Sequence, residues 1–348
     1  MLDYLYSLAK DKKNDFLSNL IKKLLYLLSL LYELIIRIIR NFKIKRAYRF
    51  RCKLISVGNI VLGGTGKTPL VEYIANFLKK EGRKIVILSR GYAQRQNLTD
   101  EIDMLKKNLV DIPIIVDRDR VRAIKKAIRD DKVDTVILDD GFQQWQIKKD
   151  LEIVTIDAND PFGNGKLIPR GTLREPLDGL KRAQIIVLTK TNLINPIKQK
   201  ETLRDLKIFL KKINPSLSIF EAEYIPLGFY KLDEGNPIDF SFFKDKKIIL
   251  FSGIADPCSF KSLILNMGLN IEKHMVFRDH HFYRKMDIEK IKAEGKRNNT
   301  HIFITTQKDA VKLKGFDLSD MEIYVLRITL KINEEENFFK RILSIYNS

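Results

Sequence analysis

The chain has 348 residues and a formal charge of +19, from 63 Lys and Arg against 44 Asp and Glu. Its length gives room for about two domains of ~150 residues and a sizeable core, and its 2 cysteines, Cys52 and Cys258, exclude a disulfide framework or cysteine metal spacing and suit a reducing cytoplasm. The excess positive charge attracts polyanions such as acidic headgroups and nucleotides; no nucleic-acid-binding module accompanies it, so no nucleic-acid partner is expected.

Residues 16–40 read FLSNLIKKLLYLLSLLYELIIRIIR. The longest uncharged piece, Leu24 to Tyr32, is far short of the ~20 residues a span needs, and no small-residue cleavage site follows, so no signal peptide is expected. Lys22, Tyr26, Ser29, Glu33, Arg37 and Arg40 recur in steps of three and four, which predicts a helix with one narrow polar stripe. The remaining circumference is almost all Leu and Ile. Lys43, Lys45, Arg46, Arg49 and Arg51 follow. Residues 1–51 carry 12 Lys/Arg and 4 Asp/Glu, a difference of +8. Two placements suit this helix: in a membrane interface, with the basic tail on anionic headgroups, or packed on the protein's own core or a partner.

From residue 52 onward, short β-rich runs alternate with helical ones. The strands predicted are Leu54–Val57, Lys84–Leu88, Ile112–Val116, Thr135–Leu138, Glu152–Ile156 and Gln184–Leu188, with helices at Thr68–Lys80 and Arg118–Arg129. This is the pattern of a parallel sheet covered on both faces. Residues 222–234 are expected to form an extended linker. A second α/β set follows, with strands at Lys247–Phe251, Lys273–Phe277, His301–Thr305 and Glu322–Ile328, helices at Cys258–Asn266 and Asp287–Glu294, and a closing helix at 334–346. The expected fold is α/β: a P-loop NTPase-like core with a mostly parallel sheet, a smaller C-terminal α/β lobe and an N-terminal amphipathic helix. The expected boundaries are 1–51 for the membrane-associating helix and basic tail, 52–221 for the core, 222–234 for the linker and 235–348 for the second lobe. A substrate cleft between the lobes is expected.

GNIVLGGTGKTPL, residues 58–70, closes the first predicted strand. In the pattern G-x-x-x-x-G-K-[ST] the last three positions are Gly66, Lys67 and Thr68, but Val61 stands where the first glycine is usual, and Gly63 and Gly64 lie inside the loop. Such glycines turn backbone N–H groups toward phosphate oxygens, and the next helix adds its positive end. Gly63, Gly64, Thr65, Gly66, Lys67 and Thr68 are therefore nucleotide-binding candidates. Lys67 is expected to reach the β- and γ-phosphates and Thr68 to bind Mg²⁺. Asp139 and Asp140 end an apolar strand. Asp139 is the expected Mg²⁺ ligand, and Asp140 is either a second metal contact or a cap for the turn at Gly141. A GTPase would carry N-K-x-D; the nearest stretch, Thr189-Lys190-Thr191-Asn192, lacks the Asp, so ATP is expected.

Several further stretches occur in order: Ser89-Arg90-Gly91-Tyr92, Asp139-Asp140-Gly141-Phe142-Gln143, Phe162-Gly163-Asn164-Gly165 running on to Leu173-Arg174-Glu175-Pro176, Asp279-His280-His281, and Thr306 with Lys308, Asp309 and Lys312. With the glycine loop they resemble the tetraacyldisaccharide 4′-kinase family over roughly residues 15–320. The resemblance implies transfer of the ATP γ-phosphate to the 4′-hydroxyl of tetraacyldisaccharide 1-phosphate, giving lipid IVA in lipid A biosynthesis. It implies a peripheral enzyme at the cytoplasmic face of the bacterial inner membrane, whose partners are the lipid substrate and the membrane surface, with no obligate protein partner. It also implies a base from a Gly-Asp-Glu segment, oriented by a His. That segment reads Thr99-Asp100-Glu101 here, so Asp100 is the base candidate, with Asp117 and Asp119 as fallbacks. His280 or His281 would orient it across the cleft.

Arg174 is a candidate phosphate clamp, Glu175 a nucleotide or Mg²⁺ contact, Gln143 a support for the nucleotide side, and Arg90 another anion contact. Lys308 and Asp309 are expected to form an internal pair that shapes the second lobe, with no chemistry assigned to it, and His274 and His301 have no expected role. Two departures stand out. Gln144 replaces a common His, and Arg170-Gly171-Thr172 replaces small-Gly-Pro, where the Arg either favours an anionic substrate or faces solvent. A P-loop switch ATPase docked through the N-terminal helix is the competing reading; it would dimerise with nucleotide and make no phosphorylated small molecule.

Overall fold

The computed structural model describes residues 2–89, 99–130, 132–232 and 236–347, with the backbone alone at Leu2, Asp3, Leu5, Tyr6, Thr99, Asp100 and Glu101. The elements run α1 (Leu2–Ala9), α2 (Phe16–Lys45), β1 (Lys53–Gly58), α3 (Lys67–Lys80), β2 (Ile85–Ser89), α4 (Thr99–Asn108), β3 (Ile114–Val116), α5 (Arg120–Asp130), β4 (Thr135–Asp139), β5 (Leu151–Asp157), β6 (Ile185–Thr189), α6 (Gln199–Ile213), β7 (Ser218–Lys231), β8 (Pro237–Ile238), β9 (Ile248–Ser252), α7 (Pro257–Asn266), β10 (Ile271–Val276), α8 (Lys285–Arg297), β11 (Ile302–Thr306), α9 (Gln307–Ala310), β12 (Glu322–Ile332) and α10 (Glu335–Leu343). Each predicted strand is present to within two residues at its start. The two compact units are Met1–Arg90 with Pro113–Ala222 and Ile332–Ser348, and Gly91–Ile112 with Glu223–Lys331.

In the first unit the strand order is β7-β6-β5-β1-β4-β2-β3, and every one of these pairings is parallel. β1, β2, β4, β5 and β6 are buried along almost their whole length, which explains why they read as continuous apolar runs without alternation. Leu54, Val86, Leu88, Val136 and Leu138 pack with Ala123, Ile124 and Ala127 of α5. Val154, Ile156, Ile186 and Leu188 pack with Leu203, Leu206 and Leu210 of α6. β1 lies between β4 and β5, so the chain reverses its direction of strand addition there, and the carboxyl end of β1 is where such sheets bind ligands.

In the second unit β10, β9, β11 and β12 are parallel neighbours, β12 lies next to β7, and β8 pairs antiparallel with the end of β7. Residues 222–231 are therefore strand and not linker: β7 pairs with β6 through Ser218–Glu221 and with β8 through Phe229 and Tyr230. The closing helix also differs from expectation. α10 belongs to the first unit, where Phe338 is fully buried and Phe339 stacks on Phe77 of α3 with ring centres 3.6 Å apart. Apolar aromatic surface decides this placement, and position in the chain does not.

α2 is 30 residues long and docks through its polar stripe. Ser18, Lys22, Leu25 and Ser29 are its buried residues, while Leu20, Leu24, Leu27, Leu31, Leu34 and Ile38 are each more than half exposed. Ser29 Oγ donates to Leu25 O and Leu167 O, both at 2.9 Å, and accepts from Arg170 N–H at 3.1 Å. Tyr26 departs from the stripe and is exposed, with the Lys166 amine 5.4 Å from its ring centre. Among the described residues no helix is long and apolar enough to cross a membrane.

Asp11, in the turn before α2, ties this N-terminal hairpin down. It pairs with Lys22 at 2.9 Å and Arg170 at 2.7 Å and accepts from Asn164 at 3.1 Å. Arg170 is thus spent on Asp11 and on Leu8 O, and neither faces solvent nor is held out for a substrate. Partial burial opposes the Asp11 charge, but its bonds to Lys22 and Arg170 outweigh this and lower its pKa from 3.8 to about 2. A depressed acid stabilises the fold above its unfolded pKa, and that contribution is lost as pH falls through the folded value. Asp11→Asn should therefore flatten the fall in Tm between about pH 4 and 2, modestly because the pair is solvent-screened. An unchanged acid limb in a pH series of melting curves would assign that limb to other carboxylates.

Candidate active site

The glycine loop leaves the carboxyl end of β1. A Cβ at Gly58 would lie 2.5 Å from Phe142 Cβ and 2.7 Å from Phe142 N, so only glycine lets the 139–143 turn close on the loop. Gly66 caps α3 with φ +83, a conformation that L side chains rarely adopt. Val61 sits where a phosphate loop usually begins because this stretch is zipped to another. Leu62 N–H donates to Thr172 O at 2.7 Å and Arg174 N–H to Ile60 O at 2.8 Å, with Val61 bridging Leu173. A β-branched residue suits that extended pairing.

The loop is braced from beneath. Thr65 and Thr155 hydroxyls meet at 2.7 Å, Thr189 Oγ1 donates to Thr65 O at 3.0 Å, and Asn59 Nδ2 to Gly63 O at 3.4 Å. Lys190 is 2% exposed; its amine donates to Gly64 O at 3.0 Å and pairs with Asp157. The lysine of the near-match to a base-reading motif therefore supports the phosphate loop.

Strand register puts Asp139 level with Val57 of β1. Asp139 is 5% exposed, with Ser89 Oγ 3.5 Å from its Oδ2. Asp140 has φ +54 and turns back toward the loop, where Lys67 Nζ lies 3.6 Å away and one Arg174 nitrogen bonds both its oxygens at 2.8 and 2.9 Å. Burial opposes the Asp140 charge, but Lys67 and Arg174 outweigh it and hold the carboxyl below its ordinary range. Asp140 thus lies between Lys67 and Arg174 and pairs with both. Thr68 and Asp139 are oxygen donors of the kind a hard divalent cation takes. No group of three or more His, Cys, Asp or Glu that could hold a metal ion occurs among the described residues.

Glu175 differs most from its expected role. It is fully buried. Gln143 Nε2 donates to its Oε1 at 3.0 Å and also to Asn59 O at 2.9 Å, Arg182 donates to it at 3.0 Å, and Arg40 of α2 lies 3.7 Å away. Burial pushes its pKa up against Arg182, Gln143 and Arg40. With no surface left for a nucleotide, Glu175 ties the loop after Arg174 to the base of the site. Asp117 and Asp119, the fallback bases, are spent at the start of α5: Asp117 pairs with Arg122 at 2.9 Å, and Asp119 Oδ1 accepts from Arg122 N–H at 3.0 Å. Arg90 lies outside the described residues.

In the second unit the two histidines part. His281 Nε2 lies 3.0 Å from Asp287 Oδ2, the same oxygen that accepts from Arg284 N–H at the start of α8, and its ring stacks on Phe277 at 4.8 Å. His280 adopts φ +57 and donates its backbone N–H to Gly253 O at 3.1 Å. Lys308 Nζ is 3.3 Å from His280 Nε2, and Nδ1 has no partner among the described residues. Asp279 Oδ2 lies 3.8 Å from the same Nε2, so a cation and a carboxylate flank this nitrogen. Asp309 is fully buried and accepts from Gly253 N–H at 3.0 Å and Lys312 at 3.1 Å. α4, which carries Asp100, belongs to this same unit and packs on α9, with Gln307 Nε2 3.3 Å from Asn108 Oδ1. Asp100 and the histidines therefore share a unit and do not face each other from different lobes.

A family model described as Tetraacyldisaccharide-1-P 4′-kinase matches residues 21–347. The chain belongs to the tetraacyldisaccharide 4′-kinase family. It is 34% identical to the tetraacyldisaccharide 4′-kinase of Halothermothrix orenii over 94% of each chain, and 34% identical to that of Syntrophobacter fumaroxidans over 86% of this chain and 82% of that one. A solved structure of LpxK from Aquifex aeolicus in complex with ATP superposes with a TM-score of 0.69, at 26% identity, over 93% of this chain and 99% of that one.

Some residues that brace this site were not singled out in the sequence. Arg120 is 1% exposed; it donates to Leu88 O and, at 3.0 Å, to Asp139 O, fixing the ends of β2 and β4. The signal was there: an arginine three, four and seven residues before Ala123, Ile124 and Ala127 stands on an apolar helix face. Arg182, Asp157 and Tyr32 carried no comparable signal, because their roles come from strands and helices distant in sequence. Gln144, at the position of a common family His, donates its backbone N–H to Gly141 O at 2.9 Å and closes the same turn.

Proposed function

We propose that this family member is an ATP-dependent kinase that phosphorylates the 4′-hydroxyl of tetraacyldisaccharide 1-phosphate and yields lipid IVA. The observation that carries the reading is the glycine loop at the carboxyl end of β1, with Lys67 set 3.6 Å from Asp140. Backbone N–H groups of residues 63–68 and the α3 N-terminus cradle the phosphates. Lys67 reaches the β- and γ-phosphates from beside Asp140, which Arg174 holds in place. Thr68 and Asp139 would hold Mg²⁺, which supplies charge neutralisation at the phosphates. The sugar 4′-oxygen forms a bond to the γ-phosphorus as the bond from phosphorus to the bridging oxygen breaks. ADP leaves with that oxygen, and the hydroxyl proton passes to Asp100. His280 orients Asp100, and His281 anchors the loop through Asp287.

α2 supports the same reading. Its polar stripe is consumed by the protein and its Leu/Ile surface is exposed, which suits a helix lying on the cytoplasmic face of the inner membrane with the substrate's acyl chains beneath it. Lys43, Lys45, Arg46, Arg49 and Arg51 then meet anionic headgroups. The test is a mixed-micelle assay with γ-³²P-labelled ATP, Mg²⁺ and tetraacyldisaccharide 1-phosphate, read by thin-layer chromatography. Label should move into the lipid. ATP hydrolysed or held regardless of lipid, with none transferred, would overturn the reading in favour of a switch ATPase. Asp100→Ala should lower kcat by about 10²-fold with ATP affinity little changed, as for a lost base, and His280→Ala by a smaller factor in the same sense. Near wild-type turnover in Asp100→Ala would take the base role from it.

A further inference from the structure

The buried side of α2 ends against the base of the nucleotide site. Tyr32 OH donates to Arg174 O at 2.6 Å. Arg40, with its side chain 12% exposed, reaches Asp178 at 3.0 Å and Glu175 at 3.7 Å, and Arg37 pairs with Asp178 as well as with Glu33. The 174–178 segment is therefore gripped at both ends by one helix. From it, Arg174 clamps Asp140, which faces Lys67, while Glu175 holds Gln143, and Gln143 holds Asn59 O at the root of the glycine loop. All these residues lie in one compact unit.

We infer that Tyr32 and Arg40 are positioning residues for the phosphate loop: the seat of α2 on the 174–178 segment sets where Arg174 holds Asp140, and thereby where Lys67 stands. The opposite surface of the helix carries the exposed Leu and Ile residues, so one helix joins the surface that meets lipid to the site that binds nucleotide. A mere anchor would concentrate the enzyme on its substrate and leave nucleotide affinity in lipid-free solution untouched. A positioning helix alters that affinity directly, because a slackened clamp leaves Lys67 free to sample positions away from the phosphates.

This inference rests on reading Lys67 as a phosphate ligand, and the experiment separates the two. Titrations of full-length protein with a fluorescent ATP analogue and Mg²⁺, without lipid or vesicles, give the affinity of wild type, Lys67→Ala, Tyr32→Phe, Arg40→Gln and Arg40→Lys. Wild type should bind and Lys67→Ala should bind far more weakly; if the two bind alike, the reading of Lys67 fails. Tyr32→Phe and Arg40→Gln should weaken binding by about 3- to 10-fold, the scale of a single lost hydrogen bond or pair, with Arg40→Lys between them and wild type. Leu27→Ser and Leu34→Ser, on the outward surface, should leave the affinity unchanged and reduce sedimentation with phosphatidylglycerol vesicles. Wild-type affinity in both Tyr32→Phe and Arg40→Gln would overturn the inference, and so would equal weakening by the outward-surface variants. Tyr32→Phe removes one oxygen only, so its measurement stands if Arg40→Gln fails to fold.

Discussion

Lys67→Ala should abolish lipid phosphorylation, lowering kcat by about 10³-fold, while the protein melts within about 2 °C of wild type. The first half follows from charge. The ammonium is the one lysine of the loop, and removing a single preorganised donor at a transferring group costs about 10²–10³ in rate. The second half follows from the Asp140 contacts. Its carboxylate keeps both bonds to Arg174 at 2.8 and 2.9 Å when Lys67 is gone, so no buried charge is stranded. Label transfer and a melting curve on the same preparation check both halves. Retained transfer would remove Lys67 from the mechanism; lost transfer with a collapsed fold would make it a structural cation.

Glu175→Ala should be the most destabilising single change near the site, by about 3–5 kcal/mol, the usual cost of breaking a buried charged pair from one side. The fully buried carboxylate accepts from Gln143 and Arg182 and faces Arg40; its truncation removes the 3.0 Å acceptor of Arg182 and leaves Gln143 and Arg40 only Asn59 O and Asp178. Glu175→Gln keeps an oxygen for one of them and should cost less. The midpoint of urea unfolding measures the difference. A midpoint unchanged in Glu175→Ala, with ATP affinity lost, would return Glu175 to the role of a direct nucleotide contact. Such a stability loss matters to the site because Glu175 and Arg174 are adjacent, so a loosened Glu175 loosens the clamp on Asp140.

Local chemistry made much of this legible in advance. The apolar runs at 54–57, 135–138 and 184–188 are strands because both faces of a parallel sheet are covered. Gly66, Lys67 and Thr68 announce a phosphate loop because few other backbones turn N–H groups inward on a lysine. The three- and four-residue steps from Lys22 to Arg40 fix a helix with one polar stripe. None of these depends on a distant partner.

Tertiary structure decided the rest, wherever a side chain's role is set by what lies opposite. The stripe of α2 could as well have faced water; it faces the protein because Ser29, Tyr32, Arg37 and Arg40 meet Leu167 O, Arg174 O, Asp178 and Glu175, and so the Leu and Ile surface is left outside. Glu175 reads as a nucleotide or metal contact because it is a carboxylate in the right loop, but it is fully buried against Arg182 and Gln143. Residues 222–231 read as a linker because an extended segment and a strand share their local preferences, and only the strands beside β7 distinguish them. α10 joins the first unit because Phe338 and Phe339 find an aromatic surface on α3 and β7. The sequence by itself determined the periodicities and the phosphate loop, which are local properties of the backbone and its glycines. Which charges pair, which face of a helix is buried and which unit a segment joins were settled by contacts between residues far apart in the chain, where burial and electrostatics act on neighbours in space alone.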